Sequence, residues 1–470
     1  MNINWMEEVE KRKDDLLEDL QKFLQIKSIL DEENTTEEAP LGEGVKEALT
    51  YLLNLGEKDG FTAKNVDHLA GHLEFGQGEE LLGILCHVDV VPEGDGWSVD
   101  PFGGEIKDGK IYARGAMDDK GPTIAAYYAM KIVKELGIQL DKRVRMIIGT
   151  DEESDWRCVE HYFNVEEMPT MGFAPDADFP IIYAEKGIAD YDLVSKAGAS
   201  NEEAAHTVLH FESGRRYNMV PDFAKVKLSV SADDSKLVQD YEQFLLSKNL
   251  KGKSYMESEA LFLELEGVSA HGMEPENGTN AGILLAHFLS DSDIDPSSQQ
   301  YFTFIKTYFY GDSRGKNLEI NYEDDITGPL TINVGKLRYD QQAGGTLGLN
   351  MRYPVTFNLD EAKGKLQGLV EQKGFTIENF SDSKPHHVDK DHVLVKTLQK
   401  VYEEQTGDKG ELLSIGGGTY ARSLESGVAF GPLFPGRADV AHQKDEHMFV
   451  EDLLKATAIY AQAIAELAKK

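Results

Sequence analysis

The spacing of apolar side chains predicts an α/β architecture for the first part of the chain. Residues 5–26 carry a helical stripe with charged residues on the remaining faces. Residues 81–86 are apolar without alternation, which is typical of a strand buried on both faces. A helical pattern over 123–136 and a strand pattern over 144–150 follow. This alternation up to about residue 185 predicts an open, largely parallel sheet flanked by helices.

Residues 187–383 show a different pattern, in which the strands alternate polar and apolar positions. Their clearest elements are two strands and two helices, at 226–230, 261–266, 234–248 and 279–290. Alternating strands indicate antiparallel sheets with one face buried, so we predict an inserted α+β domain here. Helical patterns return at 391–405 and 451–468. We therefore predict one domain formed by 1–186 and 384–470, and a second formed by 187–383.

Charge and composition exclude several classes of function. The chain has 48 basic and 83 acidic residues, a net charge of −35, which repels nucleic acid and anionic membranes. It has no run of 18 apolar residues, and residues 1–22 lack the apolar core of a signal peptide. The two cysteines, Cys86 and Cys158, are too few for a thiolate metal cluster. We expect a soluble protein of the reducing cytoplasm.

Residues able to bind metal follow the apolar strands of the first region. His87 and Asp89 follow one strand, Glu152 and Glu153 the next, and Asp176 a third. Ligands of open α/β sheets bind beyond the carboxyl ends of the strands, so these side chains are expected to converge. His87 and Asp89 are two residues apart and point the same way on extended backbone, so the carboxylate can orient the imidazole. Each cluster alone is typical of a solvated face; their succession favours a metal site.

Two signatures of known hydrolases do not apply. The His-Glu-x-x-His pattern of helical zinc proteases is absent from the sequence. Gly311-x-Ser313-x-Gly315 matches the pattern of a nucleophile elbow, which requires a strand before it and a helix after it. Residues 316–321 alternate like a strand instead, and we interpret the match as a surface turn.

Taken together, these motifs resemble the dinuclear metallopeptidase family of carnosinase, aminoacylase and the glutamate carboxypeptidases. The resemblance covers nearly the whole chain and rests on His87-x-Asp89, Gly115-Ala116-x-Asp118-x-Lys120-Gly121, Glu152-Glu153, Pro175-Asp176 and His442. Within that family the chain is most similar to the bacterial PepV-type dipeptidases. This closer similarity rests on Arg114-Gly115, Thr150-Asp151-Glu152-Glu153-Ser154, residues 172–176 and residues 416–422.

The resemblance implies a role for each residue of the predicted metal site. Asp118 would bridge two metal ions and be followed by a cis peptide bond. The remaining ligands would be His87 and Asp176 at one metal, and Glu153 and His442 at the other. Asp89 would orient His87, and Glu152 would be the general base. Spacing alone leaves Asp118 and Asp119 open as the bridge, and the family pattern selects Asp118; Asp176 is preferred over Asp178 in the same way.

The resemblance also implies that residues 187–383 form a lid that contributes to substrate binding. His271 matches the lid histidine that polarises the scissile carbonyl. Asn218 and Arg352 match lid residues that hold the substrate. A glycine-rich loop matches the one whose backbone contacts the substrate carboxylate, and it comprises Gly416, Gly417, Gly418 and Thr419.

The function that follows is hydrolysis of small unblocked dipeptides by a metal-bridging hydroxide, with Glu152 as general base. The cofactors would be two divalent ions per chain, with Zn²⁺ first and Mn²⁺ or Co²⁺ as alternatives. We expect a monomer whose partner is a dipeptide, not nucleic acid or a membrane. Two other interpretations remain open: a deacylase of N-acyl amino acids in the same family, and a non-catalytic protein that binds metal or amino acids.

Overall fold

The computed structural model describes residues 3–198, 204–230 and 234–469. The elements up to residue 185 alternate between helices and strands. In chain order they are α1 (Trp5–Glu10), α2 (Lys13–Leu24), α3 (Glu43–Lys58), β1 (Thr62–Val66), β2 (Ala70–Gly76), β3 (Leu81–His87), β4 (Glu105–Lys107), β5 (Lys110–Tyr112), α4 (Lys120–Glu135), β6 (Arg143–Gly149), α5 (Arg157–Val165), β7 (Met171–Ala174), β8 (Ala177–Asp178) and β9 (Ile181–Glu185).

Strands dominate the next two hundred residues. The elements are β10 (Gly187–Ser195), β11 (Val208–Ser213), β12 (Phe223–Ser229), α6 (Asp234–Lys248), β13 (Lys251–Glu257), β14 (Ala260–Glu266), α7 (Ala281–Ser290), α8 (Pro296–Phe309), β15 (Glu323–Asp324), β16 (Gly328–Pro329), β17 (Thr331–Asp340), β18 (Gly344–Tyr353), α9 (Leu359–Glu371), β19 (Phe375–Ser383) and β20 (His386–His387). The chain then ends with α10 (Val393–Thr406), β21 (Leu412–Ile415), β22 (Gly427–Ala429), β23 (Pro432–Leu433), β24 (His447–Phe449) and α11 (Val450–Leu467).

The chain divides into two compact units. Unit 1 comprises Met1–Ala184, His387–Ser414 and Thr419–Lys470, and unit 2 comprises Glu185–His386 and Ile415–Gly418. Unit 1 is thus assembled from three separate stretches of chain, and unit 2 from two. The short stretch Ile415–Gly418 belongs to unit 2 although unit 1 residues flank it on both sides.

Unit 1 is built on a mixed sheet with a parallel centre. Its strand order runs β1-β2-β6-β3-β7-β22-β9, with β6, β3, β7 and β22 mutually parallel. The strands β1, β2 and β9 pair in the antiparallel sense. Every residue of β3 is buried, as its unbroken apolar run predicts. Helix α4 packs against β3 and β6, and α11 packs against α4. This α/β class confirms the predicted fold, and antiparallel strands flank the predicted parallel sheet.

Unit 2 is an antiparallel sheet covered by helices. Eight strands follow the order β13-β14-β12-β11-β17-β18-β10-β19, and every pairing is antiparallel. The helices α7 and α8 pack on this sheet against a second apolar core. The predicted α+β class with antiparallel strands is therefore confirmed.

Three local predictions differ from the structure. The helical stripe over 5–26 is divided between α1 and α2, and the helices α8 and α9 were not predicted. Residues 316–319 form a turn and 320–321 are irregular, where a strand was expected. The Gly311-x-Ser313-x-Gly315 segment thus follows helix α8 and is followed directly by neither a strand nor a helix. None of the helices in residues 3–198, 204–230 and 234–469 combines the length and apolar character that a bilayer crossing requires.

Candidate active site

The buried strand β3 delivers His87 to the carboxyl end of the unit 1 sheet. The imidazole is fully buried, and its Nδ1–H donates to the main-chain oxygen of Asp89 at 3.1 Å. Because a carbonyl oxygen only accepts, this contact puts a proton on Nδ1 and directs Nε2 toward the site. Nε2 lies 3.1 Å from Oδ1 of Asp118 and 3.7 Å from Oδ2 of Asp176. These three residues form one candidate metal-binding group, with ligand atoms within 4.8 Å of one another.

A second candidate group shares Asp118 with the first. His442 Nε2 lies 3.0 Å from Oδ2 of Asp118 and 3.0 Å from Oε1 of Glu153. The ligand atoms of Asp118, Glu153 and His442 again lie within 4.8 Å of one another. The two oxygens of one carboxylate therefore face two different histidines. This is the arrangement that a carboxylate shared between two cations requires.

The carboxylate of Asp119 is directed elsewhere. The peptide bond between Asp118 and Asp119 is cis. The Oδ2 atom of Asp119 accepts hydrogen bonds from the main-chain N–H of His87 at 3.1 Å and from Thr123 Oγ1 at 3.0 Å. Neither candidate group contains Asp119 or Asp178. Backbone geometry thus separates two adjacent aspartates that spacing alone leaves equivalent.

Asp89 holds the loop that carries the two adjacent glutamates. Its side chain is only 2% exposed, and its two oxygens accept the main-chain N–H groups of Glu152 at 3.1 Å and Glu153 at 3.0 Å. The carboxylate also lies 3.4 Å from Nδ1 of His87. Asp89 therefore contacts His87, and in addition it fixes the backbone of both glutamates, a role that the sequence does not indicate.

The pKa values in the metal-free site reflect its burial and its crowded carboxylates. Hydrogen bonds to Asp118 and Glu153 raise the pKa of His442 to about 10. Burial raises the pKa of Asp118, but its hydrogen bonds with His442 and His87 outweigh burial and hold that pKa below its ordinary value. Burial raises the pKa of Glu152 to about 8, with a further increase from Asp118 and an opposing effect of His87. Such displaced values are typical of functional sites.

Two further residues of unit 1 support the site and were not predicted from sequence. Tyr420 is fully buried, and its ring meets the ring of His87 edge-on at 5.9 Å between centroids. Glu446 is also fully buried, and it accepts hydrogen bonds from the backbone N–H groups of Met117 and Asp118. Tyr420 lies in the stretch 416–422 that carries the glycine loop, and Glu446 lies four residues after His442. Only the fold brings them to the site.

Unit 2 brings together His271, which was predicted to polarise the scissile carbonyl, and Asn218, which was predicted to hold the substrate. The main-chain N–H of Gly272 donates to the main-chain oxygen of Asn218 at 2.7 Å. A Cβ at Gly272 would lie 2.9 Å from the carbonyl carbon of Asn218, so only glycine permits this approach. Asn333, 1% exposed, donates through Nδ2 to the main-chain oxygens of Tyr217 and Met219 on either side of Asn218. These contacts fix two loops side by side.

The hydrogen bonding of His271 defines its tautomer. Its Nδ1 accepts the main-chain N–H of Met273 at 3.1 Å. Because an acceptor nitrogen carries no proton, the neutral ring carries its proton on Nε2. Partial desolvation lowers the pKa of His271, and the positive charge of Arg352 lowers it further, which favours the neutral ring. The exposed ring therefore presents Nε2–H as a hydrogen-bond donor.

Arg352 and the glycine loop also meet within unit 2. Arg352 is buried, and its Nε donates to Oδ1 of Asn350 at 2.8 Å while its Nη1 donates to the main-chain oxygen of Gly416 at 3.0 Å. A Cβ at Gly416 would lie 3.1 Å from Cβ of Met273, which places the loop beside the His271 segment. Gly417 and Gly418 lie in the same stretch of unit 2, whereas Thr419 belongs to unit 1.

Ser313 shows none of the partners that a catalytic serine needs. Its Oγ donates to Oε1 of Glu276 at 2.8 Å on the exposed surface of unit 2. A nucleophilic serine requires a base such as histidine within hydrogen-bond distance, and Ser313 contacts a carboxylate that also pairs with Arg314. The segment is a surface turn, as interpreted from the sequence.

The donor set of the two groups fits divalent cations. Each group offers one imidazole nitrogen, Nε2 of His87 or of His442, and the shared carboxylate adds one oxygen to each. Imidazole and carboxylate together suit Zn²⁺, Mn²⁺ and Co²⁺, whereas the two cysteines are free and buried and contribute to neither group. The structure thus presents two adjacent candidate metal sites.

Comparison with known proteins identifies the class. Residues 83–466 match the sequence profile of the family described as "Peptidase family M20/M25/M40". The chain is 56% identical over 467 residues to "Putative dipeptidase YtjP" of Bacillus subtilis, covering 99% of this chain and 100% of that protein. It is 46% identical over 464 residues to "Putative dipeptidase" of Staphylococcus epidermidis, covering 98% and 99%.

Solved structures share the fold at low sequence identity. Aminoacylhistidine dipeptidase from Vibrio alginolyticus superposes with a TM-score of 0.61 at 12% identity, covering 97% of this chain and 96% of that one. Human carnosine dipeptidase 1 gives a TM-score of 0.56 at 14% identity, covering 99% and 98%. The chain belongs to peptidase family M20/M25/M40. It is a metallopeptidase, and thus a hydrolase of peptide bonds, as the sequence motifs indicated.

Proposed function

We propose that this metallopeptidase is a dipeptidase that hydrolyses small unblocked dipeptides with two divalent cations. The observation that carries the proposal is the position of Asp118. Its Oδ1 lies 3.1 Å from one histidine nitrogen and its Oδ2 3.0 Å from another, so one carboxylate can serve two ions. The relatives at 56% and 46% identity, both described as dipeptidases, support the substrate class.

The metal ligands we propose are the residues of the two candidate groups. His87 and Asp176 would hold one ion, Glu153 and His442 the other, and Asp118 both. Zn²⁺ is the first choice for this donor set, with Mn²⁺ and Co²⁺ as alternatives. Held by these residues, such ions would supply Lewis-acid chemistry, namely polarisation of the scissile carbonyl and a lowered pKa of bound water.

Glu152 is the general base in this proposal. It belongs to neither candidate metal group, so its carboxylate is not committed as a ligand. The hydrogen bond from its main-chain N–H to Asp89 fixes its position beside the ligand Glu153. Glu152 takes a proton from the attacking water and returns it to the nitrogen of the leaving amine. The water oxygen ends in the new carboxylate, and the peptide C–N bond breaks.

Unit 2 is proposed to act as a lid that supplies substrate contacts, corresponding to the domain predicted over 187–383. His271 would donate its Nε2–H to the oxygen of the scissile carbonyl, where negative charge develops. Asn218 and Arg352 would hold the substrate, and the backbone of Gly416, Gly417, Gly418 and Thr419 would contact its carboxylate. Turnover then requires closure of the two units.

Hydrolysis of matched substrates tests the proposed function. The metal-loaded chain is assayed with a free dipeptide, the corresponding N-acetyl amino acid and a tripeptide, each with and without a chelator. We expect chelator-sensitive hydrolysis of the dipeptide at the highest kcat/KM. Preference for the N-acetyl amino acid would establish a deacylase, and metal binding without any hydrolysis would establish a non-catalytic protein.

The base is tested by Glu152→Gln, which keeps the shape of the side chain. General-base catalysis contributes about 10²- to 10⁴-fold, so kcat should fall by that factor while two ions remain bound. Wild-type kcat in this variant would refute the role of Glu152.

Light scattering of the same preparations checks the expected monomer. A cytoplasmic location remains a prediction, supported by two free, buried cysteines.

A further inference from the structure

We propose that Glu446 is a positioning residue, which fixes the backbone of Asp118 and thereby joins the two loops that carry Asp118 and His442. This inference rests on the proposed roles of those two residues as metal ligands. Glu446 itself belongs to neither candidate group and is fully buried. It therefore acts through the ligands and not on the substrate.

The contacts of Glu446 divide between its two oxygens. Oε1 accepts the main-chain N–H of Met117 at 2.9 Å and that of Asp118 at 3.2 Å. Oε2 forms an ion pair with Nη1 of Arg114 at 2.5 Å. One carboxylate thus spans the loop between β5 and α4 from Arg114 to Asp118. A hydrogen bond to the N–H of Asp118 restrains the backbone from which the shared carboxylate projects.

Strand pairing brings Glu446 to this loop, although Glu446 lies far from it in the sequence. Strand β24 pairs with β5 in the antiparallel sense, with His447 opposite Tyr112. The main-chain oxygen of Glu446 accepts the N–H of Ala113 at 3.1 Å, which continues this pairing. Glu446 lies four residues after His442, which adopts a positive φ of 61°. The Glu446 contacts therefore fix one end of the loop that delivers His442.

Arg114 neutralises the buried charge of Glu446. Its side chain is 2% exposed, stacks over the ring of Trp97 at 5.3 Å and donates through Nη2 to the main-chain oxygen of Glu93 at 3.2 Å. Removing one partner of a buried ion pair leaves the other charge uncompensated, and this destabilises the fold whatever the role of the pair. A test of positioning must therefore change both residues together.

Two double variants separate positioning from stability. Arg114→Met with Glu446→Gln removes both charges but keeps an amide oxygen that can accept the two N–H groups. Arg114→Met with Glu446→Met has nearly the same volume and no acceptor. The background at Arg114 is identical in the two, so they differ in the hydrogen bonds to Met117 and Asp118. Glu74→Gln, which removes the carboxylate charge that pairs with the buried Arg145, serves as a control away from the site.

The readout is Zn²⁺ affinity of the chelator-treated full chain, measured by competition titration, together with kcat, KM and the melting temperature of the metal-free chain. We expect the Gln-containing variant to bind within about threefold of wild type. The Met-containing variant should bind about 10- to 100-fold more weakly, with kcat reduced and KM unchanged, as for other groups that orient metal ligands. The Glu74→Gln control should change the melting temperature alone.

Equal Zn²⁺ affinities in the two double variants would overturn the proposal. If neither double variant folds, Glu446→Asp decides, because it keeps the charge opposite Arg114 but withdraws the acceptor by one methylene; wild-type affinity there would also overturn it. A wild-type chain that binds two ions yet hydrolyses no dipeptide would refute the proposed function alone. The affinity comparison would still decide the role of Glu446.

Discussion

Replacing Asp89 by asparagine tests whether its carboxylate holds the backbone of Glu152 and Glu153 in place. In the native chain both oxygens of Asp89 accept main-chain N–H groups, from Glu152 at 3.1 Å and from Glu153 at 3.0 Å. Asparagine keeps one acceptor oxygen and places its NH₂ group, which only donates, against the second N–H. The hydrogen bond from His87 to the main-chain oxygen of residue 89 is unaffected by the substitution.

The magnitude follows from these contacts. A hydrogen bond to a charged group contributes about 1.5–3 kcal/mol, and the substitution loses one such bond and converts the other to a neutral one. For a side chain 2% exposed we expect a loss of about 2–4 kcal/mol in the free energy of unfolding. If the same energy is lost from the transition state, kcat/KM falls by about 30- to 900-fold.

The assay combines urea unfolding of the metal-free chain with kcat/KM of the metal-loaded chain. Asp295→Asn is the matched control, because the Asp295 carboxylate likewise accepts two main-chain N–H groups, from Ser298 at 3.1 Å and Val208 at 2.9 Å, in unit 2. We expect both variants to lose stability but only Asp89→Asn to lose kcat/KM. Wild-type kinetics in Asp89→Asn, or an equal kinetic loss in the control, would refute the reasoning.

Three further predictions concern the histidines and Arg352. His271→Ala should lower kcat about 10²- to 10³-fold, the cost of losing one oxyanion donor, with bound metal unchanged; unchanged kcat would exclude that role. The pKa of His442 is about 10, above the value of about 6.5 expected in the unfolded chain. The contribution of His442 to stability is therefore complete below about pH 6.5 and is lost as pH rises through 10. A cation must displace that proton, so metal affinity should rise with pH from 6 to 9, with calorimetric heats that depend on the buffer; pH-independent binding contradicts this. Arg352→Lys should raise KM for dipeptides, and an unchanged KM would contradict a role of Arg352 in holding the substrate.

The sequence predicts secondary structure best where every residue of an element is buried. Strand β3 is buried at every residue, so its apolar run carries the signal directly. Helix α8 was missed because its aromatic residues are also common in strands. Its start was nevertheless marked, since Asp295 caps the helix by accepting the N–H of Ser298 and Pro296 occupies the first turn.

The candidate site likewise has features that the sequence predicts and features that only the fold reveals. Ligand types and spacing are local features, and the structure brings His87, Asp118, Glu153, Asp176 and His442 into the two groups. The distinction between Asp118 and Asp119 depends on backbone conformation, which spacing does not encode. Glu446 is one of 83 acidic residues, and its hydrogen-bond partners lie more than three hundred positions earlier in the chain. Only the pairing of β24 with β5 reveals it.

The divided layout of unit 1 has a consequence for biosynthesis. The proposed ligands run from His87 to His442, and β24 and α11 complete unit 1 close to the end of the chain. The ribosome synthesises the chain from its N-terminus, and contacts between residues far apart in the sequence form late in folding. A nascent chain in which His442 has not yet left the ribosome therefore lacks one of the two candidate metal-binding groups. By this order of synthesis, the proposed pair of metal sites is complete only after His442 has been synthesised and has folded against unit 1.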